Sequence, residues 1–235
     1  MSRLLTAVLA LSPVMVSAQA YEGAVVDLRY RKYEDNSGYD VNSIGGTLDA
    51  SWMFGRVGVQ AGLFIGKDID SSDDIDLQHT SALTVHLTTD VSDSLRLGAM
   101  VSADGIADGT QVYAAEALYL GGPIRVEARL GDTFDNSAPY TLFEVMGSYA
   151  IGNALTARAG MHYADFDEAG YYGTLSLGAG YKISDQTEVY ADFKRHKNDG
   201  GTLFSDARGS VISLGVRFDL GGSTSAKTFS YMPLN

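Results

Sequence analysis

A period of two, repeated from one end of the chain to the other, limits what this sequence can fold into. In residues 124–130, Ile124, Val126, Ala128 and Leu130 alternate with Arg125, Glu127 and Arg129. An extended strand with this spacing has one apolar face and one charged face. The unit returns in residues 155–163, where Leu155, Ala157, Ala159, Met161 and Tyr163 oppose Thr156, Arg158, Gly160 and His162. A soluble antiparallel sheet also alternates, but its wet face usually carries Thr, Ser and Lys rather than Arg and Glu at every second position. Twelve segments follow the pattern: 22–33, 41–54, 57–66, 77–89, 95–103, 110–120, 124–130, 140–151, 155–163, 171–183, 187–195 and 210–220. Segment 110–120 is apolar on both faces apart from Glu116, and the expectation there is Glu116 inward with Tyr113 and Tyr119 outward.

The connections sort into two kinds. Gly55-Arg56, residues 90–93, Gly121-Gly122-Pro123, Gly152-Asn153 and Ser184-Asp185-Gln186 are tight. Residues 34–38, 67–76, 104–109, 132–139, 165–170 and 196–209 are longer, polar and acidic. The two kinds interleave, so one end of the sheet carries short turns and the other carries long loops, an arrangement a soluble sandwich has no reason to adopt. Aromatics mark both ends of the apolar face. Trp52, Phe54, Tyr119, Tyr149, Tyr181 and Phe218 fall near the short turns, and Tyr30, Tyr163, Tyr171 and Phe193 near the long loops. Amphipathic rings in two belts around an aliphatic band fit a membrane's two interfaces. An even strand number lets the first and last strands pair, leaving no open edge in hydrocarbon.

The N-terminus has its own pattern. Arg3, an apolar run over 4–16 and Ser17-Ala18-Gln19-Ala20 predict a signal peptide over 1–20, cleaved after Ala20. The run is short for a membrane anchor and Pro13 interrupts it. No later segment is long and apolar enough for a spanning helix, so a membrane span here must be β. The chain has no cysteine, which removes disulfides and thiolate metal sites. Its formal charge of −12 argues against nucleic acid as a partner.

In these features the chain resembles the outer-membrane β-barrels of Gram-negative bacteria, in the form of a small porin-like channel. The resemblance covers residues 1–220 and rests on architecture, with no local motif. It implies an all-β fold: a transmembrane antiparallel up-and-down β-barrel of about twelve strands over 21–220, exported through the periplasm to the bacterial outer membrane. The implied function is passive diffusion of ions and small hydrophilic solutes, with no catalytic residue, cofactor or metal site. The implied partners are outer-membrane lipids and lipopolysaccharide, the barrel insertion machinery, and the solutes themselves, with room for a homo-oligomer. Such barrels often end on an aromatic residue of the last strand. Here a tail, 221–235, follows, and it could hang in the periplasm, enter the lumen or add a partial strand over 228–232.

The polar face then lines the lumen. The loops gather acid, as in Asp68, Asp70, Asp73, Asp74 and Asp76. At mid-height lie Asp27, Arg29, Asp49, Glu116, Glu127, Arg129 and Asp192, and nearer the short turns the expected balance is basic, with His86, Arg96, Arg125, Arg158, Lys182 and Arg217. These side chains either form a selectivity zone or pair and brace the barrel. By hairpin register Arg129 falls near Glu144, and Glu116 near Arg125 or Arg129. Gly58, Gly62, Gly98, Gly160, Gly178, Gly180 and Gly215 on the same face either open a path or relieve strand bending. Residues 68–74 begin like a calcium loop but lack its turn glycine and closing glutamate. Two alternatives stand beside the channel: a non-conducting structural or adhesion barrel, and a lipase or protease built around a histidine such as His79 or His162, the latter with Asp165 nearby.

Overall fold

The alternating segments pair with their chain neighbours, because tight turns join every second strand and fix its register. A computed structural model describes residues 21–36, 38–71, 79–104, 110–134, 140–166, 170–200, 207–221 and 228–230. It contains β1 (Tyr21–Asp35), β2 (Asp40–Phe54), β3 (Val57–Ser71), β4 (His79–Ser92), β5 (Leu95–Asp104), β6 (Gln111–Gly121), β7 (Ile124–Thr133), β8 (Thr141–Ile151), β9 (Leu155–Asp165), β10 (Gly170–Ser184), β11 (Thr187–Gly200) and β12 (Ala207–Asp219). All neighbours are antiparallel, and β12 returns to β1 from Val25 opposite Asp219 to Asp35 opposite Gly209. The twelve strands therefore form a closed barrel with no free edge. The expected leader, 1–20, lies outside the described residues.

The polarity is inverted relative to a soluble protein. Asp27, Thr47, Glu116 and Arg129 are buried inside, while Leu130 (60% exposed), Leu175 (65%) and Ile183 (63%) face out. Each Å² of such apolar surface costs about 25 cal/mol in water, and an unbroken band of it around a closed sheet belongs in hydrocarbon. Phe54, Tyr119, Tyr149 and Tyr181 ring the short-turn end of the exterior, and Tyr30, Tyr163 and Phe193 the other. Within β6, Glu116 is buried and Tyr113 and Tyr119 are exposed.

Local sequence accounts for the turns. Gly55 and Gly152 sit at φ 69° and 64°, a left-handed conformation that a residue with a Cβ rarely takes. The β4–β5 and β10–β11 turns share a Ser-Asp sequence. In each, the first serine hydroxyl accepts from the amide two residues on, Ser94 N–H to Ser92 at 3.3 Å and Gln186 N–H to Ser184 at 3.2 Å.

The wall is uneven in height. The strands β5 to β9 have 10 or 11 residues, while β1 to β3 and β10 have 15. Ten or eleven tilted residues span a bilayer, so the longer strands rise beyond it at the long-loop end. The expected 187–195 segment accordingly continues to Gly200, carrying polar residues on both faces above the apolar band.

Candidate functional site

The lumen is divided lengthwise. Inward side chains of β3 to β8, among them Gln60, His86, Met100, Val112, Leu118 and Leu142, are buried, whereas Arg158, Asp192, Lys194 and Arg217 on β9 to β12 keep part of their surface.

Arg129 is the centre of the filled half. Its Nε donates to Glu116 Oε2 at 2.9 Å, Nη1 to Glu144 at 3.2 Å and Nη2 to Glu127 at 3.4 Å. Strand register dictates two of these partners, since Glu116 and Glu144 lie directly opposite Arg129 on β6 and β8. His86 Nδ1 lies 2.8 Å from the second oxygen of Glu116. Above this cluster Met100, Val112, Ala114 and Leu142 pack with Tyr140 into a small apolar cap. Below it Arg96 is held by Asp90 at 2.7 Å and Glu22 at 3.3 Å.

The tail enters the barrel. Phe229 is 1% exposed and its ring stacks on His86 at 5.8 Å and 5°. Gln60 clasps its backbone from both sides, donating to the carbonyl at 2.7 Å and accepting from the amide at 2.9 Å. Ser230 donates its amide (2.9 Å) and hydroxyl (2.7 Å) to Glu127. Arg125 and Arg129 donate to the carbonyls of Thr228 and Ser230. Of the three expected fates of the tail, entry into the lumen is the one observed for residues 228–230.

The other half holds two adjacent cavities of about 300 and 290 Å³, both bordered by Asp27, Arg29, Arg125, Glu188 and Arg217. Their charges are paired across the wall. Asp27 accepts from Arg29 at 3.2 Å and from the Tyr190 hydroxyl at 2.7 Å, with Arg217 at 3.5 Å, and Arg158 meets Glu188 at 2.5 Å. Gly180 and Gly215 are the register partners of Tyr190 on β10 and β12; the Tyr190 ring lies over Gly215, and Glu188 covers Gly180. A Cβ at Gly215 would meet the ring at 2.3 Å, and one at Gly178 would meet Asp192 at 1.8 Å. These glycines seat large inward neighbours, so the space their missing side chains leave is already filled. With Arg158 and Arg217 at 5.3 and 6.0 Å from its centroid and its hydroxyl on Asp27, Tyr190 lies along the wall of the larger of the two cavities. Tyr190→Ala is expected to raise single-channel conductance about twofold, read as current per open step in a planar bilayer.

Above the path is a vestibule of about 610 Å³ bordered by Arg31, Asp68, His162, Phe166 and stacked aromatics. His196 lies between Tyr33 (5.0 Å, 9°) and Tyr172 (5.8 Å, 28°).

The expected lumen residues all face inward, but they separate into two groups. Arg96, Glu116 and Arg129 belong to the filled half, Asp27, Arg29, Asp49, Arg125, Arg158, Asp192 and Arg217 border the cavities, and Glu127 and Glu144 stand at the boundary, buried but lining the larger cavity. The side chains of the expected basic zone near the short turns have acidic partners. Arg96, Arg125, Arg158 and Arg217 each face a carboxylate, and His86 faces Glu116, so their charges are offset locally. Glu116 pairs with Arg129 rather than Arg125. His162 turns into the vestibule while Asp165, three residues on, faces outward, so the two do not form a catalytic pair. The side chain of His79 and residues 72–78 of the acidic loop lie outside the described residues.

No protein-family model and no curated protein matches the sequence. Solved structures do. The NanC porin superposes with a TM-score of 0.62 at 11% identity, over 82% of this chain and 100% of that one. An outer-membrane channel from Pseudomonas putida F1 gives 0.60 at 13%, over 88% and 99%. The KdgM porin gives 0.54 at 12%, over 83% and 99%. The fold is the one these channels have. At such identity no side chain carries over, and the lumen must be judged on its own residues. Two features of it were missed in the sequence. Tyr190 is inward by parity alone, which gives no sign that its ring crosses β12 to reach Asp27 on β1, and nothing in the tail signals the contacts Phe229 makes.

Proposed function

We propose that this barrel sits in a bacterial outer membrane with its long loops outside and acts as a passive channel for ions and small hydrophilic solutes. The observation that carries the reading is the row of adjacent, charge-lined cavities along β9 to β12 and β1, beside a half-lumen of buried side chains. Solutes enter through the aromatic vestibule and pass Lys194, Asp192 and Tyr190. They leave past Arg217 and Lys182, where the tail forms one wall. Paired charges of both signs favour hydrated polar solutes over apolar ones, and the mechanism is diffusion with no chemical step.

The test is single-channel recording of the refolded mature chain in a planar bilayer under a salt gradient. Discrete current steps are expected. A silent barrel that still shows the heat-dependent gel shift of a folded one would overturn the reading in favour of a structural barrel. Lys194 borders the path with no carboxylate at ion-pair distance among the described residues. Lys194→Glu is therefore expected to shift the reversal potential toward cation selectivity.

A further inference from the structure

The exterior of the barrel carries a second site that the channel does not use. Arg195 and Lys197 lie two residues apart on the outward face of β11, and Arg208 on β12 stands directly opposite Lys197. Lys197 is held in place by the Tyr171 hydroxyl at 2.9 Å, its ammonium 5.3 Å from that ring's centroid, and Tyr171 in turn packs on Tyr163 at 5.5 Å. Among the described residues no carboxylate pairs with the guanidinium of Arg195 or Arg208. Elsewhere on the upper exterior Lys32 is neutralised by Glu34 at 2.5 Å. Three clustered cations on the outward wall run against the formal charge of −12 and the acidic loops above them.

Beneath and between these cations is a cleft of about 410 Å³, bordered also by Met161, Tyr163 and Leu175. Gly173 forms its floor. It lies opposite Tyr163 on β9 and Lys197 on β11, and a side chain there would point into open space. The cleft opens onto the lipid-facing band, where Leu175 and Phe193 are exposed. It therefore presents positive charge at the height where β10 to β12 leave the bilayer and apolar surface just below.

We infer that the Arg195, Lys197 and Arg208 cluster binds the phosphate of a phosphorylated glycolipid in the outer leaflet, with one acyl chain lying over Met161 and Leu175. The assignment rests on the membrane orientation proposed above and is independent of whether the lumen conducts. Charge complementarity selects the occupant. Guanidinium groups pair with phosphate through two parallel hydrogen bonds, and the apolar floor gives a lipid an advantage that free phosphate lacks. Lys197, prepositioned by Tyr171, supplies a fixed point charge beside the guanidinium groups of Arg195 and Arg208.

The test uses the folded full barrel in zwitterionic detergent, titrated with diphosphoryl lipid A and followed by native mass spectrometry. The wild-type barrel is expected to retain one lipid. The R195Q/K197Q/R208Q variant is expected to lose at least about tenfold in affinity, a loss that shrinks in high salt as charges are screened. Dephosphorylated lipid A should bind no better to wild type than to the variant, and millimolar inorganic phosphate should not displace the bound lipid. Equal retention by wild type and variant, or equal binding of the dephosphorylated lipid to wild type, would overturn the assignment, and displacement by phosphate would reduce it to a free-anion site. The single variant Arg195→Gln, at an exposed position, covers the case in which the triple variant fails to fold. Channel current is expected to be unchanged in both, so a failure of the channel proposal would show separately.

Discussion

Deleting residues 222–235 is expected to enlarge the pore, raising single-channel conductance at least about twofold over the full chain. The tail is one wall of the lower path, and its removal exposes Gln60, His86 and Glu127 to water in place of Phe229 and Ser230. The seat itself is weak. Six hydrogen bonds at a net of about 1 kcal/mol each and the burial of one phenylalanine at about 2 kcal/mol oppose the cost of fixing three residues at about 2 kcal/mol each. What remains is on the order of 2 kcal/mol, enough to keep the tail seated most of the time and small enough for a single substitution to release it. Phe229→Ala removes most of that margin, so its recordings should show the larger conductance level as frequent openings, and the full chain should show the same level rarely. Equal conductance in truncated and full chains would mean that residues 228–230 do not narrow the path. Barrel stability should hardly change, because every strand pairing is intact without the tail.

What could be read from the sequence follows a physical division between near and far. Strand number, inward and outward parity and closure are set by a period of two and by turn spacing, both local. The Arg129 pairing with Glu144 is legible for the same reason, because the long connection between β7 and β8 still leaves the two in one hairpin. Partners on elements that are not neighbours in the sheet obey no such rule. Gln60 meets Phe229 from 169 residues away, Tyr190 meets Asp27 from 163 and Arg96 meets Glu22 from 74. Which side chains reach across depends on barrel radius and on each neighbour's bulk. Alternation therefore predicts a ring of lumen charges but gives no sign that they fill one half and leave the other open. The glycines illustrate the same limit. Gly180 and Gly215 are inward by parity, yet only the register across three strands reveals that they flank Tyr190. The partners of the lower arginines were only half legible, because Asp90 faces Arg96 within one hairpin whereas Glu22 and Glu188 stand on strands that do not neighbour those of their arginines.

Arg129→Ala is expected to be the most damaging single substitution in the barrel, costing about 3–5 kcal/mol of folding stability. The guanidinium is the shared partner of Glu116, Glu127 and Glu144, each nearly inaccessible, and alanine would leave three carboxylates around a cavity. Glu127 retains Arg125 at 2.5 Å and Glu116 retains His86 at 2.8 Å, but Glu144 has no other ion-pair partner among the described residues. The substitution also removes the donor to the Ser230 carbonyl, so the tail should loosen and the larger conductance level should appear in whatever folds. Filling the space without the charge separates the two causes of instability. Arg129→Met restores volume and leaves Glu144 unpaired, while Arg129→Met combined with Glu144→Gln removes the uncompensated charge as well. The double variant should recover at least about 1.5 kcal/mol over Arg129→Met, because a buried carboxylate without a partner costs more than a buried amide. Urea titrations in lipid vesicles, read by the heat-dependent gel shift, give the three stabilities. A double variant no more stable than Arg129→Met would mean that the unpaired Glu144 carboxylate costs nothing, and that the filled half owes its rigidity to the apolar cap of Met100, Val112 and Leu142 rather than to the ion cluster.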